Sequence, residues 1–124
     1  MNTGDIIKAT ASRNWFLNHR AIVVVECGKI YLSHNTPMYQ NNFGGNVIVQ
    51  SMDDFLNDGR KILKVEKSHL SYEDIYCYNE RVRFKKFNLM NFNCEQYVFN
   101  CLGTPRSPQK ESWMIAAFGL LILG

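Results

Sequence analysis

Asn93-Cys94-Glu95-Gln96-Tyr97-Val98-Phe99-Asn100-Cys101-Leu102-Gly103-Thr104-Pro105 contains both a start and a stop for a short helix. Asn93 is a residue type that caps helix N-termini, and Gln96 stands three places on, where its side chain can reach back to the cap. Gly103 and Pro105 end the segment. Cys94 therefore falls in the first turn, where unpaired backbone N–H groups and the positive end of the helix dipole favour thiolate over thiol. The expectation is a lowered pKa and a nucleophilic sulfur. Cys94, Val98 and Cys101 form one stripe at i, i+4 and i+7, so the thiol is expected to face the protein body. The competing reading is a small buried packing residue, the common fate of a free cysteine.

Working outward, the 124 residues are 46% hydrophobic and 20% charged, enough for one domain with its own core. The four cysteines show no C-x-x-C spacing, and no basic-then-apolar segment opens the chain, so reduced thiols in an intracellular, cytoplasmic setting are expected. Cys94 and Cys101 cannot bridge each other, because seven residues of helix separate them by roughly 10 Å. A net charge of +3 is too mild for a nucleic-acid footprint, which carries a denser basic cluster.

Gly4-Asp5-Ile6-Ile7-Lys8-Ala9-Thr10 reads as a turn entering a strand. A polar loop with the aromatic pair Trp15-Phe16 follows, and His19 closes it. Ala21-Ile22-Val23-Val24-Val25 is a β-branched run too short for a typical helix, which predicts a buried central strand with His19 at its entrance. Glu26-Cys27-Gly28-Lys29 is a turn, and Ile30-Tyr31-Leu32-Ser33 returns as the antiparallel partner, ending at His34. The hairpin's open end then brings His19 and His34 to one edge. Residues 35 to 46 are turn-rich and form a candidate lid. Val47-Ile48-Val49 is a strand, Ser51-Met52-Asp53-Asp54 opens a helix stopped near Gly59, and Ile62 to Lys67 is a further strand. Ser71 caps a second helix with Glu73 and Asp74 in its first turn and Arg81 and Arg83 at its end, the charge order that the dipole favours. His69, just before it, is expected to be exposed.

Arg81-Val82-Arg83-Phe84-Lys85-Lys86-Phe87 is basic and aromatic, either a solvated helix end or a contact for phospholipid headgroups or another anionic ligand. Trp113 to Leu123 is apolar throughout and shorter than the ~20 residues a spanning helix needs. It is a candidate for membrane, partner or core contact. The chain divides accordingly into a catalytic domain at 1–111 and a hydrophobic tail at 112–124. The elements predict an α+β domain with a small antiparallel sheet packed against helices.

A cysteine at a helix start and a histidine at a strand end are the parts of a thiol acyl-transfer site. The imidazole takes the thiol proton and returns it to the leaving group, a third polar group fixes its tautomer, and N–H groups at the helix start meet the oxyanion. Cys94, His19 and His34 are the candidates for these roles. Nothing in the set requires a metal or a cofactor, and no fourth ligand stands at zinc-binding spacing.

Gly4-Asp5-Ile6-Ile7, His19-Arg20-Ala21-Ile22-Val23, His34 and Asn93-Cys94-Glu95-Gln96-Tyr97-Val98 resemble, in this order, the motifs of the lecithin:retinol acyltransferase-like proteins, which include the H-Ras-like suppressor phospholipases. The resemblance covers residues 4 to 109 and is most specific at Asn-Cys-Glu. It implies a circularly permuted papain-like fold in which the histidines precede the nucleophile. Cys94 would be the nucleophile, His19 the general base and acid, and His34 the orienting residue, with Asn35 as its understudy. The implied reaction is cleavage of a lipid ester through a cysteine thioester, with the acyl group passed to water, an alcohol or an amine. Peptide or isopeptide cleavage occurs in the wider superfamily. Gln96 stands where the family commonly has histidine, and the segment between His19 and His34 is longer than in the mammalian members. The hydrophobic tail is shared with the family and favours a peripheral membrane association through residues 113–123. A silent, membrane-associated binding domain is the reading from a different class.

Overall fold

The computed structural model describes residues 1–10, 18–39, 42–43, 46–88 and 91–104. In chain order the elements are β1 (Ile6–Thr10), β2 (Asn18–Glu26), β3 (Lys29–Asn35), β4 (Met38–Tyr39), β5 (Asn42–Phe43), β6 (Val47–Ser51), α1 (Met52–Asn57), β7 (Ile62–Glu66), α2 (Tyr72–Val82) and α3 (Cys94–Cys101). The fold is α+β. Five strands form an antiparallel sheet in the order β6-β3-β2-β1-β7, and β4 pairs with β5 as a separate ribbon.

Both faces of the sheet are covered, which is why β2 reads as an unbroken apolar run and not as an alternation. Ile22 and Val24 point into one core with Ile6, Ile75 of α2, and Tyr97 and Val98 of α3. Ala21 and Val23 point into the other with Ile7, Leu32 and Phe55 of α1. The β2–β3 turn places Cys27 at φ 50° and Gly28 at φ 76°. Two successive left-handed residues match the twist of a tight hairpin, and they set the register Glu26↔Lys29 through Ile22↔Ser33.

The helix starts follow the sequence signals. Ser51 accepts from the Asp54 amide at α1, and reciprocal capping boxes join Ser71 to Asp74 and Asn93 to Gln96. A closed ring of hydrogen bonds fixes α3 against the sheet. The Tyr97 hydroxyl donates to Asn79 Oδ1 at 2.6 Å, Asn79 Nδ2 donates to Ser33 Oγ at 2.9 Å, and the Ser33 hydroxyl lies 2.6 Å from Tyr97 Oη. Each member donates once and accepts once, so three polar groups are satisfied between β3, α2 and α3.

Among the described residues no helix is long and apolar enough to cross a membrane. The four cysteines are free thiols, with Cys27 and Cys77 exposed. His69 is exposed, as expected, and Phe84 in the basic-aromatic segment is 81% exposed. The aromatic pair Trp15-Phe16, the connector 107–109 and the tail 113–123 lie outside the described residues.

Candidate active site

Register brings the two histidines together. Ser33 is across from Ile22, so continuing that pairing puts His34 across from Ala21, two residues from His19 and on the same face. Diagonal neighbours of this kind lie within reach of large side chains. Their rings meet edge to face with centroids 4.9 Å apart, and His19 Nε2 lies 2.8 Å from His34 Nδ1. The next strand extends the row. Leu32 pairs with Gln50, and His34 Nε2 lies 2.6 Å from Gln50 Oε1. Gln50 Nε2 in turn donates to Asp58 Oδ2 at 3.4 Å.

The donors and acceptors in this row close in one direction only. A carboxylate can only accept, so Gln50 presents its NH₂ to Asp58 and its carbonyl oxygen to His34. His34 must then carry its proton on Nε2 and accept at Nδ1. His19 must donate from Nε2, which leaves the lone pair on its Nδ1. Burial chiefly, and the Arg60 cation next, hold both rings neutral: His34 is pushed down to about 3, and His19 lies well below the usual histidine value, with His34 lowering it further. A neutral imidazole has one donor and one acceptor, which the row uses in full at His34.

Asn35 takes no part in it. Its Nδ2 donates to the Phe92 and Asn93 carbonyls at 2.8 and 3.3 Å, so this wholly buried amide ties β3 to the cap of α3. The ring beside His19 is that of His34.

Cys94 arrives as the first residue of α3, 3% exposed. Its sulfur accepts from the backbone N–H of Arg20, the residue after His19. The lowered thiol pKa expected from the helix start is overturned. Burial raises it, the adjacent Glu95 carboxylate adds to the rise, and the Arg20 amide with the Arg60 and Arg20 cations only partly opposes it. The helix dipole is a fraction of a charge acting locally, whereas complete desolvation of a thiolate is the larger effect. The resting site therefore holds a neutral thiol and neutral imidazoles.

Arg60, which the sequence does not single out, enters from the turn after α1. It is 7% exposed, and its guanidinium lies 5.2 Å from the centroid of the Phe55 ring. Phe55 packs against His34 at 5.3 Å and His19 at 6.1 Å. Gln50 and Asp58 were likewise missed. Gln50 occupies on β6 the diagonal position that His34 occupies on β3, a placement set by the register of the third strand. Among the described residues no group of three or more His, Cys, Asp or Glu side chains is placed to hold a metal ion. No protein-family model matches this chain, and neither does any curated protein or solved structure.

Proposed function

We propose that this chain is a thiol-dependent acyl hydrolase or acyltransferase of the lecithin:retinol acyltransferase-like kind, acting on lipid esters. The observation that carries the reading is the directed row Asp58–Gln50–His34–His19, which leaves the lone pair of His19 on Nδ1, one residue from the amide that contacts the Cys94 sulfur.

In this reading His19 Nδ1 takes the proton of Cys94 as the sulfur attacks the acyl carbonyl carbon. The tetrahedral oxyanion is met by backbone N–H groups at the start of α3. The C–O bond then breaks, the alcohol leaves with the proton held by His19, and a thioester remains on Cys94. Water, or an acceptor alcohol or amine, gives up a proton to His19 and attacks the thioester. The thiolate leaves and is reprotonated. Because the resting thiol is neutral, the base acts during attack and no standing thiolate–imidazolium pair is required. The row serves this step directly. A positive charge on His19 strengthens its Nε2–H donation to His34, which remains an acceptor as long as Gln50 holds its proton on Nε2.

Phe84, exposed between Arg83 and Lys85, supports a lipid surface as the source of substrate, since an apolar ring flanked by cations suits an anionic interface. The full chain is to be incubated with phosphatidylcholine vesicles, with fatty-acid release and an acyl adduct on Cys94 followed by mass spectrometry. The expected result is release that disappears in Cys94→Ala. Equal release by the mutant would overturn the assignment, and turnover of amide but not ester substrates would reassign the site to a peptidase or amidase.

A further inference from the structure

Arg60 is a charged side chain placed where charge is costly. Its backbone is pinned on both sides. Gly59, at φ 88°, donates to the Leu56 carbonyl at 3.0 Å, and Lys61 exchanges 2.9 Å hydrogen bonds with Thr10. This turn directs the guanidinium inward over Phe55, the same ring that supports both imidazoles. Its Nε is buried and has no hydrogen-bond partner among the described residues. Stacking on an aromatic ring does not account for that, because a methionine or leucine would cover Phe55 without leaving a donor bare. The anion nearest in sequence, Asp58, is exposed and attracts Arg60 without an ion pair between them, and one of its oxygens accepts from Gln50. A cation and a bare donor at this position are matched by a negative charge that arrives with a ligand or forms during reaction.

We propose that Arg60 is the anion-recognising residue of the Cys94 site and selects electrophiles carrying a carboxylate or phosphate group close to the bond that is attacked. The part concerning acyl donors rests on the thiol acyl-transfer reading. The part concerning charge at the sulfur does not. The reciprocal influence of Arg60 and Cys94 on each other's ionisation agrees with the placement, and so does the lowering of both histidines by Arg60. One cation thus opposes positive charge on the rings and favours negative charge at the thiol.

The test compares iodoacetate with iodoacetamide on the full chain. Both form an S–CH₂ bond and expel iodide, and they differ in charge far more than in size, so hindered access to a buried thiol largely cancels in the ratio of rates. Peptide mass spectrometry reads that ratio at Cys94, with the exposed Cys27 and Cys77 as references in the same sample. The expected preference for iodoacetate at Cys94 is about tenfold over the references, the size of a ~1.4 kcal/mol charge interaction. In Arg60→Met it falls to the reference ratio, and in Arg60→Lys it is partly kept. A wild-type ratio at Cys94 equal to or below that of the references overturns the proposal without any mutant, as does an unchanged ratio in folded Arg60→Met. Alkylation needs no turnover, so loss of the charge preference leaves the ester assay untouched, and a failed ester assay leaves the charge preference standing.

Discussion

Replacing Gln50 with leucine tests the tautomer row most directly. The side chain is buried, and leucine fills similar volume while removing the oxygen that holds the His34 Nε2 proton and the amide that meets Asp58. An N–H left buried without an acceptor costs about 1–3 kcal/mol. His34 escapes that cost by moving its proton to Nδ1, which faces His19 Nε2 at 2.8 Å. Two donors cannot face each other, so His19 must shift its own proton to Nδ1 and lose the lone pair. At about 1.4 kcal/mol per factor of ten, the base-competent arrangement falls by roughly 5- to 150-fold. Long-range ¹H–¹⁵N correlation spectra of histidine-labelled protein read the tautomers of the three rings, with exposed His69 as the reference. Wild type should show both buried rings protonated at Nε2 and bare at Nδ1, and Gln50→Leu should move both toward Nδ1–H, with thioester formation falling in step. An Nδ1–H tautomer on either buried ring in wild type would refute the row. So would Gln50→Leu protein with unchanged tautomers and an unchanged rate of acylation.

Because both imidazoles are held neutral in the folded state, the unfolded chain takes up protons below about pH 6.5 that the folded chain refuses. Stability is therefore greatest above that value and falls with acidification by up to ~1.4 kcal/mol per pH unit for each ring, continuing toward pH 3 for His34; urea melts between pH 7 and pH 4 measure the slope, and a flat profile contradicts the assignment. Asn35→Ala removes the amide that donates to the Phe92 and Asn93 carbonyls, which keep their bonds from the Asn88 and Tyr97 amides, and should cost about 0.5–1.5 kcal/mol in the same melts while leaving both histidine tautomers unchanged; a tautomer change would give Asn35 the orienting role instead. Tyr97→Phe opens the ring with Ser33 and Asn79, with an expected loss of about 1–2 kcal/mol, and a neutral result would mean that water replaces the hydroxyl.

What could be read from the sequence is what local chemistry decides. Asn93 and Gln96 announce α3, Ser71 announces α2, and the β-branched run at 21–25 announces a central strand, because caps and strand patterns act over a few residues. The meeting of His19 and His34 was also legible, since a tight turn at Cys27-Gly28 fixes which residues lie diagonally across a hairpin. Asn35 was open to misreading because it neighbours His34 and is chemically able to orient an imidazole. Strand alternation sends it to the opposite face, toward α3, and that depends on where the helix packs. Gln50, Asp58 and Arg60 were invisible for the same reason. They join the site through a third strand and the turn after α1, neither of which a local pattern ties to His19.

The reversed thiol pKa follows from how charge is distributed over the whole site. A helix start offers a thiolate about half an elementary charge and a few N–H groups, enough to lower a pKa when water still reaches the sulfur. Here the sulfur and both rings are sealed, and desolvation is the first cause of shift for all three. Sealing disfavours the thiolate and the imidazolium together, so an ion pair has no standing advantage in the resting site. Arg60 breaks the symmetry. It disfavours charge on the rings and favours it on the sulfur, which places the site's unmet demand at the anion. On the proposed reading that demand is met in the transition state, when a bound ester has displaced water and the developing oxyanion and thiolate lie within the field of one fixed cation. A fully buried, neutral thiol is then the ground state from which such a site gains most.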